Sequence, residues 1–142
     1  VRLRIGVVLS PEGGALKKLL FPVKMGAGGK IGSGHQYMSW ISIDDLAAAI
    51  VHCIETDSLS GAVNAVSPEA VTNKVFTKTL GRVLRRPTLF PLPPFAARLA
   101  LGEMADALLL ASAKVEPDAL KKSGFQFEYA ELEKALRHLL EK

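Results

Sequence analysis

The sequence contains a single cysteine, Cys53, among its 142 residues, so no internal disulfide bond can form. A chain without disulfides is typical of a reducing compartment, and we expect the cytoplasm or the matrix of an organelle. His52 and His138 lie far apart in the sequence, and no spacing of cysteine and histidine suggests a zinc site. We therefore expect no bound metal.

Long apolar runs are absent as well. The most apolar stretch, 95–111, is interrupted by Arg98, Glu103 and Asp106, whereas a membrane-spanning helix needs about 20 apolar residues. We therefore expect no membrane partner. The chain also opens directly on a strand pattern, without an initiator methionine or a charged leader, which is typical of a piece of a longer protein.

One predicted helix contains no acidic residue at all. Its basic stripe recurs at every fourth position and consists of Lys74, Lys78, Arg82 and Arg86, with Arg85 beside it. Such a stripe suits phosphate or an acidic partner. Because the net charge is a modest +4, a solvated face is the stronger interpretation. We expect no nucleic-acid partner.

What the sequence does contain is an alternation of strand and helix patterns. Leu3, Ile5, Val7 and Leu9 alternate with arginine or glycine, which predicts a strand over 1–9. The patterns that follow predict a helix over 15–25, a strand over 36–43, a helix over 46–54, a strand over 62–66 and a helix over 73–86. This order predicts an α/β domain with parallel strands.

Two of these helices carry further signals. In the helix over 46–54 one face is predicted to be apolar, namely Leu46, Ala47, Ile50, Val51 and Ile54. The segment before it, with Ser42, Asp44 and Asp45, supplies oxygens for an N-cap, and capping explains the two aspartates better than acid-base chemistry. The last helix presents a second apolar face, which must pack on something: Leu132, Ala135, Leu136, Leu139 and Leu140.

The pattern changes beyond residue 88. A proline-rich stretch over 89–95 is followed by a mainly helical tail. We therefore divide the chain into a sheet-forming part, 1–88, and a mainly helical part, 89–142. Since three or four strands are few for a parallel sheet that is covered on both faces, we expect the neighbouring strands to come from an N-terminal half.

A glycine-rich loop contains a literal G-x-x-G-x-x-G at Gly26, Gly29 and Gly32. A phosphate-binding turn leaves a strand and opens a helix, but here a helix precedes the glycines and a strand follows them. We interpret the match as a coincidence. The backbone freedom of the glycines and the small number of apolar residues predict a mobile loop at the mouth of a pocket.

Three motifs occur in a fixed order: RIGVVLSP from Arg4, WISIDDLA from Trp40 and GAVN from Gly61. They resemble the L-R-x-x-x-V-Y-G-P, F-I-H-V-x-D-L-A and G-x-x-N motifs of extended short-chain dehydrogenases/reductases. The narrower resemblance is to epimerase-family proteins related to nucleoside-diphosphate-sugar epimerases, which end in a C-terminal extension. It covers essentially the whole chain and implies the C-terminal part of a Rossmann-like parallel sheet plus a mainly helical substrate-side subdomain.

The resemblance also implies a cofactor, NADP or NAD. The family strand that passes the nicotinamide matches Ile5, Gly6 and Val8, although an ordinary buried strand would look the same. The family's catalytic Y-x-x-x-K pair is missing, because Tyr37 is followed four residues later by Ile41 and Tyr129 by Glu133. We expect no catalytic residue in this chain, which by itself would be inactive.

The implied substrate is a small alcohol or carbonyl compound. The asparagine and arginine that hold the pyrophosphate of sugar nucleotides in the family are replaced near Val7 and Met38, which puts a nucleotide-sugar substrate in doubt. The remaining candidates for substrate contacts are His35, Gln36, Met38 and Trp40. Met38 and Trp40 share a strand face, and Trp40 should be partly accessible if that face lines the pocket; otherwise it belongs to the core.

A second hypothesis is a non-catalytic interaction module. Its apolar C-terminal helices and its basic stripe would bind a partner, and the missing Tyr/Lys chemistry motivates it. Neither hypothesis predicts an oligomeric state.

Overall fold

The computed structural model describes residues 1–26, 28–89, 91, 93–102 and 114–141. The strands are β1 (Arg2–Ile5), β2 (Val7–Leu9), β3 (Tyr37–Met38), β4 (Trp40–Ser42), β5 (Ala62–Ala65) and β6 (Val71–Thr72). The helices of the described part are α1 (Gly14–Lys24), α2 (Ile43–Glu55), α3 (Asn73–Leu84), α4 (Pro94–Leu101), α5 (Asp118–Lys122) and α6 (Leu132–Leu140).

The strands pair as three short ladders. β1 pairs with β5 and β2 with β4, both parallel, whereas β3 and β6 are antiparallel. The predicted α/β architecture with parallel strands is thereby confirmed, and the antiparallel pair is an addition that the sequence did not reveal. Two predicted strands are each divided, the first at Gly6 and the second at Ser39.

The division at Gly6 marks a change of pairing partner. The Gly6 amide donates to the carbonyl of Ala65 at 3.3 Å, and the next amide, of Val7, donates to the carbonyl of Ser39 at 2.8 Å. Leu3 and Val8 pack against the same buried cluster, although regular alternation would put residues five apart on opposite faces. The alternation of side chains between the two faces of the strand is therefore interrupted at Gly6.

A close approach explains why this position is a glycine. A Cβ atom added to Gly6 would lie 2.5 Å from the carbonyl oxygen of Ser39 and 2.8 Å from Cγ1 of Val66. Both distances are shorter than a carbon atom tolerates, and one of the two neighbours is backbone. Because Gly6 has no side chain, the backbone can pass directly from β1, which pairs with β5, into β2, which pairs with β4.

The main core lies where α1, α3 and α6 meet the strands. It contains Leu9, Leu16, Trp40, Phe76 and Leu136, all nearly fully buried. The apolar face of α6 packs into this core, with Leu132, Ala135, Leu136 and Leu139 buried. The prediction that this face must pack on something is confirmed. Among the described helices, none is long and apolar enough to cross a membrane.

The predicted apolar face of α2 is mostly exposed in this chain. Only Leu46 of that face is buried, together with Asp45 and Ala49. Ile50 is 39% exposed, Val51 51% and Ile54 76%. The helix carries two adjacent apolar stripes, and periodicity alone does not say which of them faces the sheet. Ala49, which is small and fully buried, lies where the helix packs against the neighbouring buried residues.

Candidate functional site

The first part of the candidate site is the carboxyl end of β1, where ligands bind in open parallel sheets. Ile5 ends this strand and is 50% exposed, an unusual state for an apolar residue of a parallel strand. Gly6 and Val8 are half-buried, and Val8 packs beside Ile41 and Ala65. Of the three residues assigned to the cofactor side, Ile5 therefore offers the largest accessible apolar surface.

The second part consists of β3 and β4, where Met38 and Trp40 were assigned to the substrate. The two side chains share one face and one buried cluster, as the alternation predicted. Met38 is only 3% exposed and Trp40 is fully buried. The indole Nε1 of Trp40 donates to the carbonyl of Glu69 at 2.7 Å. The expectation of a partly accessible Trp40 is not met, because this face of the strand points into the core.

His35 and Gln36 lie at the other end of this segment, just before β3. His35 is exposed, and its amide donates to Oγ of Ser33 at 3.2 Å. Gln36 is half-buried, and its Nε2 donates to the carbonyl of Ile31 at 3.1 Å. His35 is thus the more available of the two for a ligand, and Gln36 helps to fix the loop.

The glycine-rich loop is anchored more firmly than the sequence predicts. Ile31 is 1% exposed and lies in the main core. Its amide donates to Oδ1 of buried Asn73 at 2.6 Å, and the amide of Lys74 donates to the carbonyl of Gly34 at 2.9 Å. The loop predicted to be mobile, 26–34, thus has one apolar anchor, because Ile31 inserts into the core, and α3 holds the loop backbone at Ile31 and Gly34.

Of the residues predicted to cap α2, Ser42 does so and the two aspartates do not. Ser42 is the cap, and its hydroxyl accepts from the amide of Asp45 at 3.1 Å. The carboxylate of Asp45, which is 2% exposed, accepts from the amides of Glu128 and Tyr129, both at 3.0 Å. Asp45 therefore fastens the C-terminal segment to the first turn of α2, directly after β4. The contact was missed because its partners are more than 80 positions away in the sequence.

Further polar side chains of the first 88 residues bind the backbone of the C-terminal part. The Ser39 hydroxyl accepts from the amide of Val115 at 3.0 Å. The Ser67 hydroxyl donates to the carbonyl of Ala130 at 2.9 Å, and Nδ2 of Asn64 donates to the carbonyl of Glu116 at 3.2 Å. Ser39 and Ser67 are buried. Isolated polar residues between apolar neighbours were the only sequence signal for these contacts.

The environment of Tyr129 does not suit a catalytic tyrosine. Its ring stacks on that of His138 with centroids 4.2 Å apart, and His138 Nε2 lies 3.0 Å from Oδ2 of Asp44. Partial burial raises the pKa of Tyr129, and the nearby carboxylates of Glu128 and Asp44 raise it further. A tyrosine that exchanges protons with a substrate needs the opposite shift, which a neighbouring cation supplies.

The basic stripe on α3 is partly engaged within the chain. Nη1 of Arg82 lies 2.8 Å from Oε1 of Glu133 on α6, and this hydrogen bond lowers the pKa of Glu133, with a smaller contribution from Arg137. Nε of Arg86 donates to the carbonyl of Lys24 at 3.0 Å. Two of the four cations thus bind neighbouring elements. Within the described ranges no group of three potential metal ligands occurs.

Comparison with known proteins gives consistent results. Residues 92–139 match the model of a family described as a domain of unknown function, DUF1731. An epimerase family protein of Mycobacterium bovis is 46% identical over 133 residues, 94% of this chain and 44% of the relative. Human epimerase family protein SDR39U1 is 39% identical over 140 residues, 99% of this chain and 48% of the relative. The chain spans about half the length of the curated relatives that it matches.

Solved structures show the same relationship. The crystal structure of human SDR39U1 with NADPH aligns with a TM-score of 0.90 and 38% identity, over 99% of this chain and 48% of that chain. A nucleoside-diphosphate sugar epimerase from Corynebacterium glutamicum aligns with a TM-score of 0.71 and 34% identity, over 97% of this chain and 25% of that chain. UDP-N-acetylglucosamine 4-epimerase from Bacillus cereus, at 14% identity and a TM-score of 0.69, shares the fold.

Proposed function

The chain belongs to the epimerase family, and we propose that it is the C-terminal part of an NADPH- or NADH-dependent oxidoreductase or epimerase, in which it forms one wall of the pocket. The observation that carries this proposal is the similarity of nearly the whole chain to a structure that contains NADPH. That structure also favours NADPH. The NAD found in UDP-glucose 4-epimerase from Thermus thermophilus belongs to a protein only 17% identical.

The residues at the carboxyl end of β1 fit a nicotinamide ring. Ile5 presents an exposed apolar side chain there, and the absence of a side chain at Gly6 keeps the adjoining backbone close to β4. A flat ring packs well on such a surface, so we assign Ile5 and Gly6 to the cofactor, with Val8 supporting them from the core. The bound cofactor would donate or accept a hydride.

The acid-base pair is assigned to a different part of the parent protein. Neither tyrosine of this chain has a lysine four residues later, and partial burial, together with the carboxylates around Tyr129, raises the pKa of Tyr129 above its ordinary value. This chain would orient the substrate and exclude water, and the N-terminal part would supply the tyrosine, the lysine and the dinucleotide-binding turn.

On the substrate side, His35 is the residue we assign to direct contact. It is exposed beside an anchored loop, so a ligand would meet it without a large rearrangement. Gln36, Met38 and Trp40 would act indirectly, by holding this segment in place. Gln36 hydrogen-bonds to the loop, and the other two side chains are buried. The position of a phosphate-binding arginine is taken by buried Met38, which favours a small alcohol or carbonyl substrate over a nucleotide sugar.

The parts 1–88 and 89–142 would work as one unit. Buried Asp45, Ser39 and Ser67 all bind the backbone of the second part. The apolar face of α6 is buried within the chain. It is therefore not available to bind a partner, as the hypothesis of a non-catalytic interaction module would require. Among the C-terminal helices, α4 has exposed apolar residues that a module could use.

The cofactor assignment is tested in a fusion that joins the N-terminal part of human SDR39U1 to Val1 of this chain. Ile5→Asp places a carboxylate where the nicotinamide would pack and should weaken NADPH binding at least about tenfold. Ile54→Asp on α2 is the matched control, because it makes the same change at a side chain that is 76% exposed.

The affinity of each variant for NADPH is measured by calorimetric titration, and circular dichroism checks that both variants are folded. The proposal requires the loss in Ile5→Asp and an unchanged affinity in Ile54→Asp. Equal NADPH affinity in the two folded variants would reject the assignment of Ile5.

A further inference from the structure

The start of α3 holds the backbone on both sides of His35. The amide of Lys74 donates to the carbonyl of Gly34 at 2.9 Å, and the amide of Asn73 donates to the carbonyl of Gln36, also at 2.9 Å. Both amides belong to the first turn of α3, where backbone amides have no acceptor within the helix. Gly34 and Gln36 directly precede and follow His35. The chain around His35 is therefore bonded to one end of one helix.

The side chain of Asn73 adds a contact at each end of the same segment, 31–38, which we call the His35 segment. Its Oδ1 accepts from the amide of Ile31 at 2.6 Å, and its Nδ2 lies 3.8 Å from the sulfur of Met38. The bond to the sulfur is the weaker of the two, because a thioether is a poor acceptor. All three residues are buried. The His35 segment thus begins and ends against one buried amide group.

A short ladder continues this contact. In the antiparallel pair of β3 and β6, Tyr37 lies opposite Thr72 and Met38 lies opposite Val71. The two residues before Asn73 therefore also pair with the His35 segment. Strand, helix start and buried side chain together give this segment one backbone conformation.

The close approach of α3 explains one glycine of the glycine-rich loop. Gly34 is buried and has a φ of 74°, in the left-handed region. A Cβ atom there would lie 3.0 Å from Cβ of Lys74 and 3.1 Å from Cβ of Lys30. Glycine thus lets the loop reach the start of α3, a role that requires no bound phosphate.

We propose that Asn73 is the positioning residue that holds His35 for the substrate. This role rests on the proposed function, which assigns His35 to direct contact. A ring nitrogen of histidine can hydrogen-bond a ligand productively only where the backbone keeps the ring in place. Asn73 is buried and acts through the His35 segment, so it is a positioning residue and not a catalytic one.

Nuclear magnetic resonance of the histidine rings tests the positioning in the 142-residue chain, with neither cofactor nor substrate. The sequence contains three histidines, and His35→Gln identifies the ring signal of His35. In Asn73→Ala the amide of Ile31 loses its acceptor, so the His35 signal should shift or broaden. The signals of His52 and His138 should stay in place, because these residues lie on α2 and α6.

Thr79→Ala is the matched control, because it also truncates a buried polar residue of α3. The Thr79 hydroxyl donates to the carbonyl of Val75 at 2.8 Å, within the helix. A general loss of stability would occur in both variants, but the His35 signal should change only in Asn73→Ala. Asn73→Asp should restore the signal, since its carboxylate can still accept from Ile31 and a negative charge is favourable at a helix start.

Hydrogen exchange gives a second measurement, which the unchanged chain already provides. The amides of Ile31 and Lys74 should be protected from exchange. In Asn73→Ala the amide of Ile31 should exchange at least about tenfold faster, because its buried acceptor is gone.

The fusion to the N-terminal part of human SDR39U1 tests the consequence for a substrate. With NADPH and benzaldehyde, a small carbonyl compound, Asn73→Ala should raise KM at least about tenfold, because the contact group is misplaced. The double variant His35→Gln/Asn73→Ala should be no worse than His35→Gln, since Asn73 acts through His35.

Four results would overturn the inference: unprotected amides of Ile31 and Lys74, an unchanged His35 signal in folded Asn73→Ala, an equal change in Thr79→Ala, or fully additive losses in the double variant. A failure of the proposed function would differ. His35→Gln would then leave KM unchanged, while the His35 signal would still respond to Asn73→Ala.

Discussion

Replacing Asp45 by alanine should destabilise the protein far more than replacing its neighbour Asp44. The carboxylate of Asp45 is buried, and its two oxygens accept separate backbone hydrogen bonds from Glu128 and Tyr129. Alanine would leave both amides without an acceptor in a partly buried place. A hydrogen bond to a charged group contributes about 1.5–3 kcal/mol, so the loss of two such bonds should cost about 3–6 kcal/mol. That is a large share of the total stability of about 5–15 kcal/mol of a typical domain.

Asp44→Ala is the matched control, because it removes the same group one position earlier. The Asp44 side chain is 45% exposed, and its contact is with His138 at 3.0 Å. Exposed ion pairs contribute about 0–1 kcal/mol. The difference between the two adjacent positions should therefore be at least about 2 kcal/mol in the free energy of unfolding.

Urea unfolding measures this difference, with the fluorescence of Trp40, the single tryptophan, as a reporter in the core. Hydrogen exchange should show faster exchange at the amides of Glu128 and Tyr129 in Asp45→Ala and unchanged exchange in Asp44→Ala. A loss below about 1 kcal/mol in Asp45→Ala would refute the reasoning, because it would mean that the carboxylate does not hold the C-terminal segment.

Three further changes have expected outcomes. Gly6→Ala should lower the midpoint of urea unfolding, with a loss of about 1–3 kcal/mol or more, because the new methyl group meets the carbonyl oxygen of Ser39; an unchanged midpoint would show that the strands can separate there. Trp40→Ala should lose about 3–5 kcal/mol in urea unfolding followed by circular dichroism, because this variant lacks the fluorescent reporter, and a loss below about 1 kcal/mol would contradict its place in the core. Glu133 has a lowered pKa in the folded state, so its contribution is present above its ordinary value of 4.5 and is lost as the pH falls through the lowered pKa. Arg82→Gln should therefore reduce the loss of stability between about pH 5 and pH 3, measured by thermal unfolding, and an unchanged pH dependence would contradict the assigned cause.

The sequence predicted the regular elements well because their signals are local. The helix over 15–25 and the strand over 62–66 appear as α1 and β5 within one residue of the predicted bounds. Parallel pairing followed from the order of the elements. The antiparallel pair of β3 and β6 was missed because two-residue strands carry too little pattern to read.

The contacts that build the candidate site depend on residues distant in the sequence. Nothing near Asp45 reveals that its acceptor oxygens face Glu128 and Tyr129, so capping was the best local explanation for it. In the same way, alternation placed Trp40 and Met38 on one face but could not decide whether that face meets a pocket or the core. The resemblance of three short motifs identified the family, because motif order is a property of the sequence itself.

The most direct test of the central claim compares NADPH binding by the 142-residue chain with binding by its fusion to the N-terminal part of human SDR39U1. The chain alone should bind weakly, because the helix N-terminus that neutralises the pyrophosphate is assigned to the other part. The fusion should bind in the micromolar range or tighter. Micromolar binding of NADPH by the chain alone, measured by calorimetric titration, would contradict the account.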